Sequence, residues 1–209
     1  LKNWIKKNFE LIAVLLTAIL KFLLIDWLYV RNIYIVSVSI FWIGYILFRK
    51  RTRNEYKIFK LHNFKHSLII LLPIILLNGL ACAFYAYNNN TFYISWHILL
   101  VFLLYPLWAV IQQFIMLEVI LMNLIVFFNG KANNTILVFI VSTLFGIVHY
   151  PNTFLMIYAF GLELILASVF LKWRDIWAIG ITHGWIATFL LYYVFERNLW
   201  SELMLGFYI

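Results

Sequence analysis

Eight side chains inside the long apolar runs of this 209-residue chain have the chemistry to bind or react: Asp26, His97, Gln112, Gln113, Glu118, His149, Glu163 and His183. A strongly polar group in a lipid-facing segment is costly unless it is paired, hydrated or used, so this short set is the best pointer to function. Asp26 follows Lys21 by five residues, which reads as a structural contact or as a lysine snorkelling to the surface. His97 opens a run and reads as interfacial. His149 closes Phe145-Gly-Ile-Val-His149 and is followed by Tyr150-Pro-Asn152, a sequence that stops a helix and leaves backbone groups beside the imidazole. His183 stands in Ile181-Thr-His-Gly-Trp-Ile-Ala187, where Gly184 lets another element come close. Glu163, between the two histidines, offers three roles: ligand to a divalent metal together with them, general base, or hydrogen-bond partner of a neighbouring helix. Glu118 is rotated away from Gln112 and Gln113 at about 100° per residue and is expected to pair elsewhere.

The elements that position these groups follow from composition. Two thirds of the residues are hydrophobic and 11% are charged, a balance that needs lipid rather than water around most of the surface. Apolar runs near residues 9–29, 33–48, 67–87, 94–128, 135–150, 152–171 and 176–195 predict an all-α, polytopic transmembrane bundle of about seven spans. The whole chain, 1–209, reads as a single membrane domain without a soluble domain, linker, internal repeat or phosphate-binding loop. The fourth run is too long for one untilted span, and Pro106 is expected to divide it into a leading piece and a helix that starts near Leu107 and carries the glutamine pair.

The net charge of +8 does not point to nucleic acid, because the basic residues sit at the ends of apolar runs and no nucleic-acid-binding motif accompanies them. Arg49, Lys50, Arg51, Arg53, Lys57, Lys60 and Lys65 crowd one loop with Glu55 as its acid, whereas the loop Asn88-Asn-Asn-Thr-Phe92 is uncharged. The basic loop is therefore expected on the cytoplasmic side, together with Lys2, Lys6, Lys7, Lys131, Lys172, Arg174 and the amino terminus, in what reads as a bacterial plasma membrane protein. The same loop could attract acidic lipid head groups. Trp27, Tyr29, Trp173 and Trp177 fit an interfacial belt. One cysteine, Cys82, rules out an intrachain disulfide and reads as core. The opening segment resembles a first span more than a cleaved signal.

The order and spacing of the histidine motifs resemble the CAAX-protease and bacteriocin-processing family of intramembrane proteases, also called CPBP or ABI proteins. That family's pattern is a Glu-Glu pair followed four residues later by Arg, then Phe-x-x-x-His, then His-x-x-x-Asn, each on its own membrane helix. Here Phe145 to His149 keeps the second element and His183 begins the third. The stretch from Gly161-Leu-Glu-Leu through Leu171-Lys-Trp-Arg-Asp-Ile-Trp-Ala178 is similar to the family's glycine-containing helix, basic turn and Trp-Ala entry. The likeness covers roughly residues 95–190. The Glu-Glu positions read Gln112 and Gln113, the Arg falls on Leu117 and the Asn on Ala187.

The resemblance implies hydrolysis of a membrane-associated, hydrophobic or lipidated protein or peptide. A glutamate would activate water, and the histidines and asparagine would hold the oxyanion or a divalent metal such as zinc. A glutamine amide has no useful basicity near neutral pH, so that role does not pass to Gln112 or Gln113. Three readings follow. The first is a protease-like enzyme using Gln112, Gln113, His149, His183 and Glu163 with altered hydrolysis. The second is a catalytically silent scaffold or immunity protein. The third is a membrane enzyme of unrelated chemistry with His149, His183 and Glu163 as metal ligands.

Overall fold

The computed structural model describes residues 2–53, 59 and 61–203. Glu55, Lys57 and Lys60, and the side chains of Lys2, Lys6, Lys7, Lys50 and Arg53, lie outside them. Among the described residues every regular element is helical: α1 (Lys2–Lys21) running into a π-helical turn (Phe22–Trp27), α2 (Arg31–Arg53), α3 (Phe64–Asn88), α4 (Trp96–Gln113) running into a π-helical segment (Phe114–Leu121), α5 (Met122–Phe127), α6 (Asn134–Ile147), α7 (Thr153–Trp173), α8 (Ile176–Tyr193) and α9 (Leu199–Leu203). Five helical stretches, Asn8–Trp27, Phe64–Asn88, Trp96–Phe127, Thr153–Trp173 and Ile176–Tyr193, are long and apolar enough to cross a membrane. Ile33–Arg49 and Asn134–Ile147 are shorter apolar helices.

The sequence reads as one membrane domain, and its contacts gather in two compact units, Leu1–Glu55 with Gln113–Lys172 and Tyr56–Gln112 with Trp173–Ile209. Each unit joins segments distant in sequence, so no linker composition marks a boundary.

In the first unit α1 and α2 run antiparallel. The indole Nε1 of Trp42 donates to Thr17 Oγ1 at 3.1 Å, the Tyr45 hydroxyl bonds Glu10, and the Phe9 ring lies 5.8 Å from that of Tyr45. Trp42 is fully buried with its ring 6.5 Å from that of Phe114. Helices α6 and α7 are also antiparallel, with Phe139 edge-on to Phe160 at 5.4 Å. They touch closely because Gly146 has no side chain: a Cβ there would stand 2.8 Å from the Met156 carbonyl oxygen. Lipid supplies no hydrophobic drive between helices, so such small-residue contacts are what hold them together.

The two π-helical segments change how the polar residues line up. Winding with i to i+5 bonds stacks residues five apart, which an α-helix sends to different faces. Lys21 and Asp26 accordingly meet at 2.6 Å across the Phe22–Trp27 turn. The same winding across Phe114–Leu121 voids the 100° argument for Glu118: five residues after Gln113, it is not carried round as an α-helix would carry it. The pairing elsewhere that the sequence leads one to expect is nevertheless found, with Arg49 at 3.6 Å.

In the second unit α3 and α8 run parallel. Asn63 Nδ2 donates to the Trp173 carbonyl at 2.6 Å at one end, and Asn78 Nδ2 to the Ile186 carbonyl at 3.3 Å further along. Helix α4 runs antiparallel to α8, and Pro106 does not divide it; the helix passes through from Trp96 to Gln113. A proline frees the carbonyl four residues earlier, and that of Phe102 accepts the Trp185 indole N–H at 2.9 Å. The approach needs Gly180 and Gly184 on the facing side of α8, where Cβ atoms would come within 2.8 Å of Val110 Cα and 2.5 Å of Pro106 Cα. Gly184 therefore does what the sequence assigns it.

Candidate functional site

The first unit brings together Gln113 and Glu163. Gln113 is the last residue of α4, where the change to π-helical winding begins, and Glu163 lies midway along α7. Both are fully buried, and Gln113 Nε2 donates to Glu163 Oε2 at 2.8 Å. An amide donor beside a carboxylate meets the need that burial creates, since a buried acid without donors is expensive. The other oxygen, Glu163 Oε1, is buried with no hydrogen-bond partner among the described residues. Gln112, half-buried, belongs to the second unit.

His149 sits just past the end of α6, in the turn the sequence predicts. Its backbone N–H bonds the Gly146 carbonyl, and its Nδ1 lies 2.7 Å from the Phe145 carbonyl oxygen. A carbonyl only accepts, so Nδ1 carries the hydrogen, and whenever the ring is neutral its lone pair is on Nε2, the atom suited to a base or a ligand. The Phe145 ring packs edge-on against the imidazole at 5.0 Å, so this aromatic both shields and, through its carbonyl, orients the histidine. The following turn is tied down as well. The Tyr150–Pro151 bond is cis, Lys21 Nζ donates to the Tyr150 carbonyl at 2.6 Å, and Asn152 Oδ1 accepts the Leu155 N–H at 2.9 Å where α7 starts. The Lys21–Asp26 contact thus reaches the histidine turn, a link that the spacing of those two residues does not reveal.

In the second unit His183 is nearly buried on α8 between Thr182 and Gly184. Asp175 caps α8, its Oδ1 accepting the Ala178 N–H at 2.8 Å. Burial raises the Asp175 carboxyl above its ordinary range, and the backbone N–H groups of Ala178 and Trp177 pull against that rise. Among the described residues no three His, Cys, Asp or Glu side chains gather as a metal-binding group.

Two features escape sequence reasoning. Arg49, read as a loop cation, is buried between two acids of the first unit, with Glu10 at 3.7 Å and Glu118 at 3.6 Å, and Asn123 Nδ2 bonds the same Glu10 at 2.7 Å. Its position at the very end of an apolar run was the available signal. Ser142, fully buried on α6, has an Oγ without a hydrogen-bond partner among the described residues. One serine in an apolar helix carries no sequence signal of that kind. No known protein-family model, curated protein or solved structure matches this chain.

Proposed function

We propose that the chain is an intramembrane peptidase-like protein on the CAAX-protease and bacteriocin-processing plan, acting on a membrane-associated protein or peptide, with Glu163 in place of the base. The observation that carries this reading is the hydrogen bond from Gln113, at the position of the family's glutamate pair, to the carboxylate of Glu163. The amide holds one carboxylate oxygen, and the other, buried and without a hydrogen-bond partner among the described residues, is left to take a proton from a water that reaches it with the substrate. In the reaction Glu163 takes that proton, the hydroxide adds to the peptide carbonyl, and the proton passes to the leaving amine as the C–N bond breaks. His149, whose Nδ1 is held by the Phe145 carbonyl, is the second base of the first unit in this reading. His183, Gln112 and a seven-span topology with a cytoplasmic amino terminus in a bacterial plasma membrane enter this reading through the resemblance and the charge pattern. The described residues offer no three-ligand group, so no step runs through a metal.

A second reading is favoured by the complete burial of Gln113 and Glu163: a silent relative in which the pair locks α7 to the end of α4 and the protein binds a hydrophobic or lipidated partner. One experiment separates the two. The full chain is reconstituted with membrane-anchored reporter peptides, and cleavage is compared with that of Glu163→Gln, which keeps side-chain size and hydrogen bonding. Cleavage lost in the variant at an unchanged melting temperature supports the peptidase. Equal cleavage removes Glu163 as base, and no cleavage by the parent leaves the silent reading.

A further inference from the structure

In the second unit a pocket of about 160 Å³ lies where the apolar span of α8 ends and that of α4 begins, bordered by Tyr93, Ser95, His97, Tyr192, Asn198 and Trp200. Aromatic rings, braced against one another, share its walls with Ile98 and Val101. The Tyr93 and Tyr192 ring centroids are 4.8 Å apart, His97 stacks on Trp200 at 4.9 Å, and Phe92 stacks on Tyr193 at 5.3 Å behind them. The short helix α9 that brings in Trp200 is fastened by a two-bond pairing of Arg197 with Glu202, at 2.8 and 2.7 Å, and by Asn198 Oδ1 accepting the Ser201 N–H at 3.0 Å.

The chemistry of the lining favours a cation that carries N–H groups. Aromatic faces attract positive charge, and no Lys or Arg lines the pocket. Tyr192 is 6% exposed, and its hydroxyl, which faces the Tyr93 side chain and the Ser95 backbone, completes no hydrogen bond of normal geometry among the described residues. That hydroxyl, with the second lone pairs of Ser95 Oγ, which already accepts the His97 N–H at 3.2 Å, and of Asn198 Oδ1, which already accepts the Ser201 N–H, supplies acceptors that a quaternary ammonium would leave unused. The surroundings fit a lipid: the pocket opens at the boundary of two apolar spans, beside exposed Ile94, Trp96 and Leu99. We propose that this pocket binds the primary ammonium of a phosphatidylethanolamine head group, with the lipid's acyl chains lying along those exposed side chains. The proposal does not depend on the peptidase reading.

The test is lipid binding to the detergent-purified full chain by native mass spectrometry, with phosphatidylethanolamine, phosphatidylcholine and phosphatidylglycerol of identical acyl chains. Phosphatidylethanolamine is expected to bind about 5- to 30-fold more tightly than phosphatidylglycerol, the range of one desolvated cation–π contact. That preference falls away in Trp200→Leu, whose side chain lies on a five-residue helix outside the spans. Tyr192→Phe keeps the ring, and so keeps discrimination against phosphatidylglycerol while losing that against phosphatidylcholine. Equal binding of all three lipids by the parent overturns the proposal, as does a preference that survives both Trp200→Leu and Tyr93→Leu. Displacement of bound lipid by soluble ethanolamine at equal concentration overturns the lipid as the source of the ammonium.

Discussion

Replacing Gly184 with alanine tests the closest helix approach in the second unit. The new Cβ would stand 2.5 Å from Pro106 Cα and 2.8 Å from Pro106 N, backbone atoms that move only if α4 moves. Carbon atoms rest at about 3.5–4.0 Å, so the two helices must part by roughly 1 Å at this point. Overpacking of this kind costs about 1–3 kcal/mol. Parting also pulls Trp185 from the Phe102 carbonyl, now 2.9 Å away. Leaving that carbonyl unmet costs a further 1–3 kcal/mol or so, roughly. Alanine returns about 1 kcal/mol in helix propensity, leaving a net loss of about 1–5 kcal/mol. At about 2–4 °C per kcal/mol for a chain of this size, the unfolding midpoint drops by about 2–20 °C. Gly44→Ala is the control, because no atom lies within 4 Å of its Cβ and only the propensity gain applies. Thermal unfolding followed by tryptophan fluorescence in one detergent measures both. A Gly184→Ala protein that melts at or above the parent would refute the packing argument, whatever Gly44→Ala does.

Gln113→Ala removes the donor to Glu163 and is expected to cost about 1–3 kcal/mol, whereas Gln113→Leu with Glu163→Leu together comes closer to the parent than either single change; the same melting assay decides. Arg49→Met leaves the buried Glu118 and the half-buried Glu10 without their shared cation and costs about 3–5 kcal/mol, a loss that Glu118→Gln in the same chain reduces. Asp175→Ala loses the α8 cap at about 1 kcal/mol, and Asp175→Asn keeps it. The sign of its pH dependence is also fixed. The folded carboxyl holds its proton to higher pH than the unfolded one, so stability falls as pH rises through the window above the ordinary carboxylate range. Asp175→Asn should flatten that slope in denaturation curves taken at stepped pH.

The helical class and the membrane character were legible because apolar runs of spanning length admit little else. The stop after His149 was legible from Tyr150-Pro-Asn152, and the close approach at Gly184 from the glycine itself. Pro106 misled because local sequence announces the lost N–H but not the indole of Trp185, 83 residues from the Phe102 carbonyl it meets. Glu118 pairs elsewhere than with the glutamines, with Arg49, as the sequence leads one to expect, but the π winding that carries it there was not legible, because no local sequence rule separates π from α winding. Within the site, Glu163 was legible as a buried carboxylate. That Gln113 rather than Gln112 would hold it was not, since neighbouring glutamines differ only in the face they present.

The Phe102 carbonyl also bears on how the protein is made. Helix α4 is synthesised before α8 and carries one backbone oxygen that Pro106 deprives of its helical donor, and the partner the structure gives it arrives only with α8. Until then the inserted helix is marked as unfinished, and a chain that stops short of Trp185 keeps that mark.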